Sequence, residues 1–209
     1  MRICFVSFEY PPNIFGGAGT YAEALVEGLR RKNIEVLVIT REASGINGPN
    51  IIGVPTIDIS YLRRFFFMRS ALSVFHDLSR TKRFDLMHFN EPHVILGKSA
   101  LPVMCTIHSS QFNELKTRLS NSRFWENPLD AKDTVLKNPT GIFCDILTAR
   151  MADKIISPSA YLAKLIASYC LVDPKKISVI SNGVDLKAFD QTGHHCSGSC
   201  VDQHSLGKD

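Results

Sequence analysis

The residues best suited to chemistry begin with a proline- and glycine-rich run at positions 11–19, Pro-Pro-Asn-Ile-Phe-Gly-Gly-Ala-Gly, just ahead of a helical pattern. Glycines such as Gly16 and Gly17 let backbone N–H groups come close to an anion, and the dipole of a helix N-terminus adds to the attraction. That combination predicts a cradle for a phosphate or sugar phosphate. The plainer reading is a turn that needs positive φ. A second set of polar residues follows short apolar runs: Glu9, then Asn90, Glu91 and His93, then His108, then Ser157 to Ser159, then Asn182 to Asp185. His108 ends its run beside a polar loop and is the histidine that reads as functional. His88 lies within its run and reads as a satisfied structural histidine. Asn182-Gly183 has the chemistry of a turn.

These residues need elements to hold them. Residues 2–8, 34–40, 84–89, 102–107, 154–157 and 177–180 read as strands, with a short strand inside 51–59 broken by Pro55. Residues 20–32 read as a helix whose apolar positions Tyr21, Leu25 and Leu29 recur every four residues. Thr20 is placed to cap it, with Glu23 completing a capping box. Further helices are predicted over 61–78, 141–152 and 159–169, the last capped by Ser157 or Ser159. Residues 113–139 are polar, punctuated by Pro128 and Pro139, and predict a long excursion. Strands alternating with helices argue an α/β, Rossmann-like fold: a mostly parallel sheet with helices on both faces. Such sheets bind ligands beyond the carboxyl ends of their strands, where the polar set above falls.

Composition narrows the class. With 209 residues, 44% apolar and 21% charged, the chain reads as an ordinary globular protein. A net charge of +4 is too mild for a dedicated nucleic-acid binder, so no nucleic-acid partner is expected. No stretch reaches the roughly 18 apolar residues that span a bilayer, and the N-terminus reads as a strand and not a signal peptide. A cytoplasmic location follows as the expectation. Residues 61–69, Tyr-Leu-Arg-Arg-Phe-Phe-Phe-Met-Arg, suit either a core helix with arginines on its wet face or a peripheral contact with an anionic membrane surface. Cys4, Cys105, Cys144 and Cys170 sit among apolar residues and read as small core hydrophobes. The tail at 191–209 holds Cys196, Cys200 and several histidines in Gly/Ser-rich surroundings. It reads as a disordered segment and not as a zinc site. Residues 17–22 also fit G-x-G-x-x-A, a dinucleotide pattern, but about eight residues separate it from its strand, whereas the fingerprint follows its strand directly.

Taken in order, the motifs resemble those of family 4 glycosyltransferases of the GT-B fold. The opening strand followed by Glu9-Tyr10-Pro11-Pro12-x-x-x-Gly16-Gly17 is similar to their start, and Asp85-Leu86-Met87-His88 and Thr106-Ile107-His108 are similar to their strand ends. Ser157-Pro158-Ser159 resembles their strand-to-helix turn, and Ile180-Ser181-Asn182-Gly183-Val184-Asp185 with Phe189 resembles the stretch at their domain hinge. The resemblance implies transfer of a sugar from a nucleotide-sugar donor to a sugar or lipid-linked acceptor, with retention, no metal and no cofactor. It places Gly16 and Gly17 near the donor diphosphate, His108 as the catalytic candidate on the transferred sugar, and Glu9, Asn90 and Glu91 nearby. Asn182 would sit by the hinge. Residues 1–190 would form the N-terminal, acceptor-side domain. No E-x7-E motif follows Asp185, so the C-terminal nucleotide-sugar domain is expected to be absent from this chain or supplied by another. Ser109-Ser110 depart from the acidic residue or glycine common after the histidine, which leaves the general base unassigned. A non-catalytic module that pairs with a separate nucleotide-binding chain is the alternative, with a dinucleotide-binding domain behind it.

Overall fold

The structure, a computed structural model, describes residues 1–42, 48–57, 62–92, 100–120 and 128–183, with only the backbone of 128–138. Seven strands make one sheet: β1 (Arg2–Val6), β2 (Glu35–Arg41), β3 (Ile51–Val54), β4 (Leu86–Phe89), β5 (Val103–Thr106), β6 (Lys154–Ser157) and β7 (Ile177–Val179). Every pairing is parallel, and the order is β3-β2-β1-β4-β5-β6-β7. The helices are α1 (Gly17–Arg31), α2 (Arg63–Ser79), α3 (Gln111–Leu119), α4 (Pro128–Met151) and α5 (Ala160–Cys170). This is the α/β, Rossmann-like architecture expected from the alternation of elements.

Two cores explain which residues became strands. On one face Ile3, Phe5, Val36 and Val38 pack against Ala22 and Val26 of α1. On the other, Cys4, Val6, Leu37, Ile39 and Phe89 pack against Phe67 and Met68 of α2, Ala149 of α4 and Ile166 of α5. Parallel strands are buried on both faces, so they read as continuous apolar runs. Cys4, Cys105, Cys144 and Cys170 are buried free thiols, as their apolar neighbours suggest. Alternation along a strand turns neighbouring residues to opposite faces. The strand order reverses between β1 and β4, which makes their carboxyl ends the switch point of the sheet.

Three sequence expectations are corrected. Helix α1 starts at Gly17, with Gly16 as an extended N-cap and no side-chain cap, so Thr20 and Glu23 form no capping box. The helix can begin early because the glycines impose no Cβ constraint, and Tyr21 and Leu25 keep their inward face. Residues 113–139 are not a structureless excursion. α3 spans 111–119, and α4 begins at Pro128, where a proline's missing N–H is harmless. Pro139 lies inside α4, as an exception to its usual breaking role. Finally, the wet face of α2 holds Arg64 and Arg69, which are exposed, but not all its arginines: Arg63 is half-buried over the Phe8 ring, at 5.4 Å.

Of the two serines offered as the cap of α5, Ser159 takes the role: its Oγ accepts from Leu162 N–H at 3.2 Å. Ser157 instead donates from Oγ to the Ser159 carbonyl, at 3.1 Å, and steadies the turn. Ser159→Ala is expected to lower stability by about 1 kcal/mol. Denaturant unfolding of the two proteins side by side would measure it.

Candidate functional site

The site grows from the switch point. Ser7 and Glu9 follow β1, and Asn90 and Glu91 follow β4. Asn90 is buried, and its amide is used on both ends. Its Nδ2 donates to Ser7 Oγ at 3.0 Å and to the Ala18 carbonyl at 3.0 Å. Its Oδ1 lies 3.2 Å from His108 Nε2. One side chain therefore ties the end of β1, the first turn of α1 and the residues after β5.

That geometry fixes the histidine. The Ala18 carbonyl can only accept, so the Asn90 NH2 must face it and Oδ1 must face His108. His108 Nε2 is then the donor, and in the neutral ring Nδ1 keeps the lone pair. Burial disfavours the imidazolium and lowers the His108 pKa, against the opposing pull of its bond to Asn90. At neutral pH the ring is an uncharged acceptor through Nδ1. Tyr21, one turn into α1, sets its ring edge-on to His108 at 4.6 Å. Thr106, at the end of β5, places its Oγ1 2.9 Å from His88 Nε2. His88 is only 4% exposed and packs edge-on against Phe5, so it is the structural histidine its position suggested. Burial, helped by nearby His108, pushes its pKa down to about 4.

The glycine corner lies at the start of α1, the helix whose first turn Asn90 binds through the Ala18 carbonyl. Gly16 and Gly17 are exposed, and a Cβ at Gly17 would meet no atom. First-turn N–H groups of α1 have no intrahelical acceptor, and no side chain caps them. Gly19 instead serves packing. A Cβ there would sit 3.1 Å from Ile14 and 3.2 Å from Glu9 Cβ, so its smallness allows the loop to close on the helix. Gly17, Thr20, Tyr21, Leu25 and Asn182 line one groove of about 880 Å³, running along α1. Asn182 is thus brought to the glycine corner by the chain leaving β7.

Glu9 and Glu91 are placed differently from the rest. Glu9 Oε2 accepts from Phe15 N–H at 3.2 Å, shaping the loop ahead of Gly16. Glu91 is one residue past Asn90, so alternation turns it toward α2. It is 6% exposed, with Oε2 lying 4.0 Å from Arg64 Nη2 and making no hydrogen bond. Burial raises its pKa, which the Arg64 charge opposes and Glu9 reinforces. Asn90 and Glu91 do not act on one spot. His93, Val184, Asp185, Phe189 and the Cys196–Cys200 tail lie outside the described residues.

Several contributors were not singled out as site residues from the sequence. Ser7, Tyr21 and Thr106 serve the Asn90–His108 network, and nothing but their periodic position marks them. Asp145 had a readable mark: it is a lone carboxylate in the apolar run Ile142-Phe143-Cys144-Asp145-Ile146-Leu147. It is buried, accepts from Tyr169 OH at 2.7 Å and Gln111 N–H at 3.1 Å, and joins α3, α4 and α5. Among the described residues, no three His, Cys, Asp or Glu side chains group as metal ligands. No helix among them is long and apolar enough to cross a membrane.

Comparison with known proteins adds to the geometry. Residues 15–188 match the family described as Glycosyltransferase Family 4. An uncharacterized glycosyltransferase of Methanocaldococcus jannaschii is 26% identical over 202 residues, covering 91% of this chain and 48% of that protein. The fold resembles a lipopolysaccharide outer core galactosyltransferase in its apo form, with a TM-score of 0.54 at 14% identity, over 88% of this chain and 46% of the other. It also resembles the catalytic domain of starch synthase IV from Arabidopsis thaliana bound to ADP and acarbose, with a TM-score of 0.54 at 15% identity, over 90% and 52%. The chain spans about half the length of these proteins. The G-x-G-x-x-A run lies within α1, so its glycines do not form the strand-to-helix turn of a dinucleotide fingerprint.

Proposed function

The chain belongs to glycosyltransferase family 4 and has a GT-B-like domain, and on that premise we propose that it is the acceptor-side half of a retaining sugar transferase. The donor would be a nucleotide-sugar and the acceptor a sugar or lipid-linked sugar, with the nucleotide-holding half supplied beyond these residues or by another chain. The observation that carries this reading is the double use of the Asn90 amide, which links the Ala18 carbonyl in α1 to His108. In the proposed reaction the first-turn amides of α1 and Gly16-Gly17 stabilise negative charge on the departing diphosphate. His108, neutral and presenting Nδ1, accepts from a hydroxyl of the sugar as its ring gains oxocarbenium character. Asn90 is a positioning residue that fixes the tautomer. Glu9 shapes the loop, Asn182 borders the donor groove, and Glu91 faces the α2 side of the cleft. No cofactor or metal enters the scheme. The ADP and acarbose held by a fold neighbour support a nucleotide and a sugar as ligand classes.

The test is to titrate the chain with UDP-glucose, GDP-mannose and ADP-glucose, and with NAD as a rival, and to assay each for transfer. Weak saturable binding of a nucleotide-sugar, about tenfold weaker in His108→Ala, with little turnover, is the expected result. Robust turnover by the monomeric chain would overturn the half-enzyme reading. NAD binding at the glycine corner, with no response to nucleotide-sugars, would overturn the transferase reading.

A further inference from the structure

Glu91 lies two residues past β4, at the switch point where sheets of this kind bind ligands. It is 6% exposed, and its Oε2 is buried with no hydrogen-bond partner among the described residues. Burying a carboxyl with an unused acceptor costs free energy that an apolar side chain of the same size does not. Arg64, in the first turn of α2, does not remove that cost. Its Nη2 is 4.0 Å from Glu91 Oε2, beyond the roughly 2.7–3.2 Å of an N–H···O bond. The Arg64 side chain is 46% exposed, so water shares its charge. That charge also acts on Asp145, while Glu9 adds a second negative charge near Glu91. A buried acceptor without a donor, facing a guanidinium just out of reach, describes a place for a ligand group.

The separation sets the chemistry of that group. One oxygen can bond both partners at about 2.8 Å each, which a gap of 4.0 Å allows. It must accept from the guanidinium and donate to the carboxyl. A hydroxyl does both. A phosphate oxygen accepts, but it sets negative charge against Glu91 and Glu9. An ammonium donates, but it offers Arg64 no acceptor. We propose that Glu91 and Arg64 bind a hydroxyl of an uncharged sugar acceptor on the α2 side of the sheet. The hydroxyl donates to Glu91 Oε2 and accepts from Arg64 Nη2. Naming the ligand as the acceptor rests on the transferase reading; the hydroxyl site itself does not.

Methyl α-glucoside, glucosamine and glucose 6-phosphate carry similar hydroxyls on a neutral, a cationic and an anionic molecule. The experiment follows the binding of each by NMR titration of the parent chain, Glu91→Gln, Arg64→Met and Glu27→Gln. Glu27, exposed on α1, controls for net charge. Methyl α-glucoside is expected to bind saturably, roughly tenfold more weakly in Glu91→Gln and in Arg64→Met, and unchanged in Glu27→Gln. Denaturant unfolding is expected to find Glu91→Gln at least as stable as the parent, because Arg64 left alone stays solvated. An ion pair that served only the fold would give the opposite: lower stability in Glu91→Gln with binding unchanged. That result, equal weakening in Glu27→Gln, unchanged binding in Arg64→Met, or no saturable binding by the parent chain would overturn the site. Glucosamine or glucose 6-phosphate binding at least about tenfold tighter than the glucoside, with the excess lost in Arg64→Met or Glu91→Gln, would overturn the choice of an uncharged ligand. A parent chain that binds the glucoside through this pair but binds no nucleotide-sugar would keep the hydroxyl site and overturn its assignment to an acceptor.

Discussion

Asn90→Leu is expected to destabilise the chain by about 4 kcal/mol, because it strands three partners at once. The Ala18 carbonyl and Ser7 hydroxyl lose their Nδ2 donor, and His108 Nε2–H loses its acceptor. An apolar side chain of similar size fills the space but satisfies none of them. Equilibrium unfolding would measure the loss. Asn90→Asp separates position from stability. The carboxylate keeps an acceptor toward His108 and favours the imidazolium, so the His108 pKa should rise from its depressed value. It also faces the Ala18 carbonyl with an oxygen, which should still destabilise the protein, by less than leucine does. An NMR titration of the His108 ring in the two proteins would show the rise. An unchanged pKa in a folded Asn90→Asp protein would mean that the amide does not set the histidine's state.

The second large effect concerns acid. Two buried groups titrate with opposite consequences. His88 falls from 6.5 to about 4, chiefly through burial, with His108 adding to the shift. The unfolded chain takes up this proton first, so folding loses about 3 kcal/mol as pH falls from 6.5 through 4. Asp145 rises from 3.8 to about 6, again chiefly through burial, against the bonds from Tyr169 and Gln111 and the charge of Arg64. Here the folded chain takes up the proton first. Folding gains about 3 kcal/mol as pH falls from 6 through 3.8, and that gain is absent at neutral pH. The two contributions largely offset in the parent protein. Asp145→Asn should therefore become steeply less stable between pH 7 and 4, and His88→Gln should become more stable over the same range. Unfolding free energies at pH 7, 5.5 and 4 for the three proteins would decide it. Parallel pH curves would show that neither group carries the buried titration described.

The fold was legible where burial wrote a simple pattern. The strands at Ile3 to Val6 and Val36 to Ile39 announce themselves because parallel strands are apolar on both faces. Helix α4 was half hidden: its first residues are polar, and Pro139 reads as a stop although the helix runs through it. The start of α1 was hidden for the opposite reason. Its N-cap uses no side chain, so nothing in Gly16-Gly17 distinguishes a helix start from a loop. At the site, the residue types were readable but their pairing was not. Asn90 and Glu91 look alike in sequence and part company in space, because one step along a strand changes face.

The proposed chemistry requires that the amides around Gly17 and the ring of His108 share one cleft. The most direct measurement adds UDP-glucose, GDP-mannose or ADP-glucose to isotope-labelled protein and follows the Gly17 amide and the His108 ring in the same NMR titration. Both are predicted to move along one binding curve with a common midpoint, and Asn90→Asp should shift that midpoint for both. A Gly17 amide that responds while His108 stays still, or two curves with separate midpoints, would contradict a shared cleft.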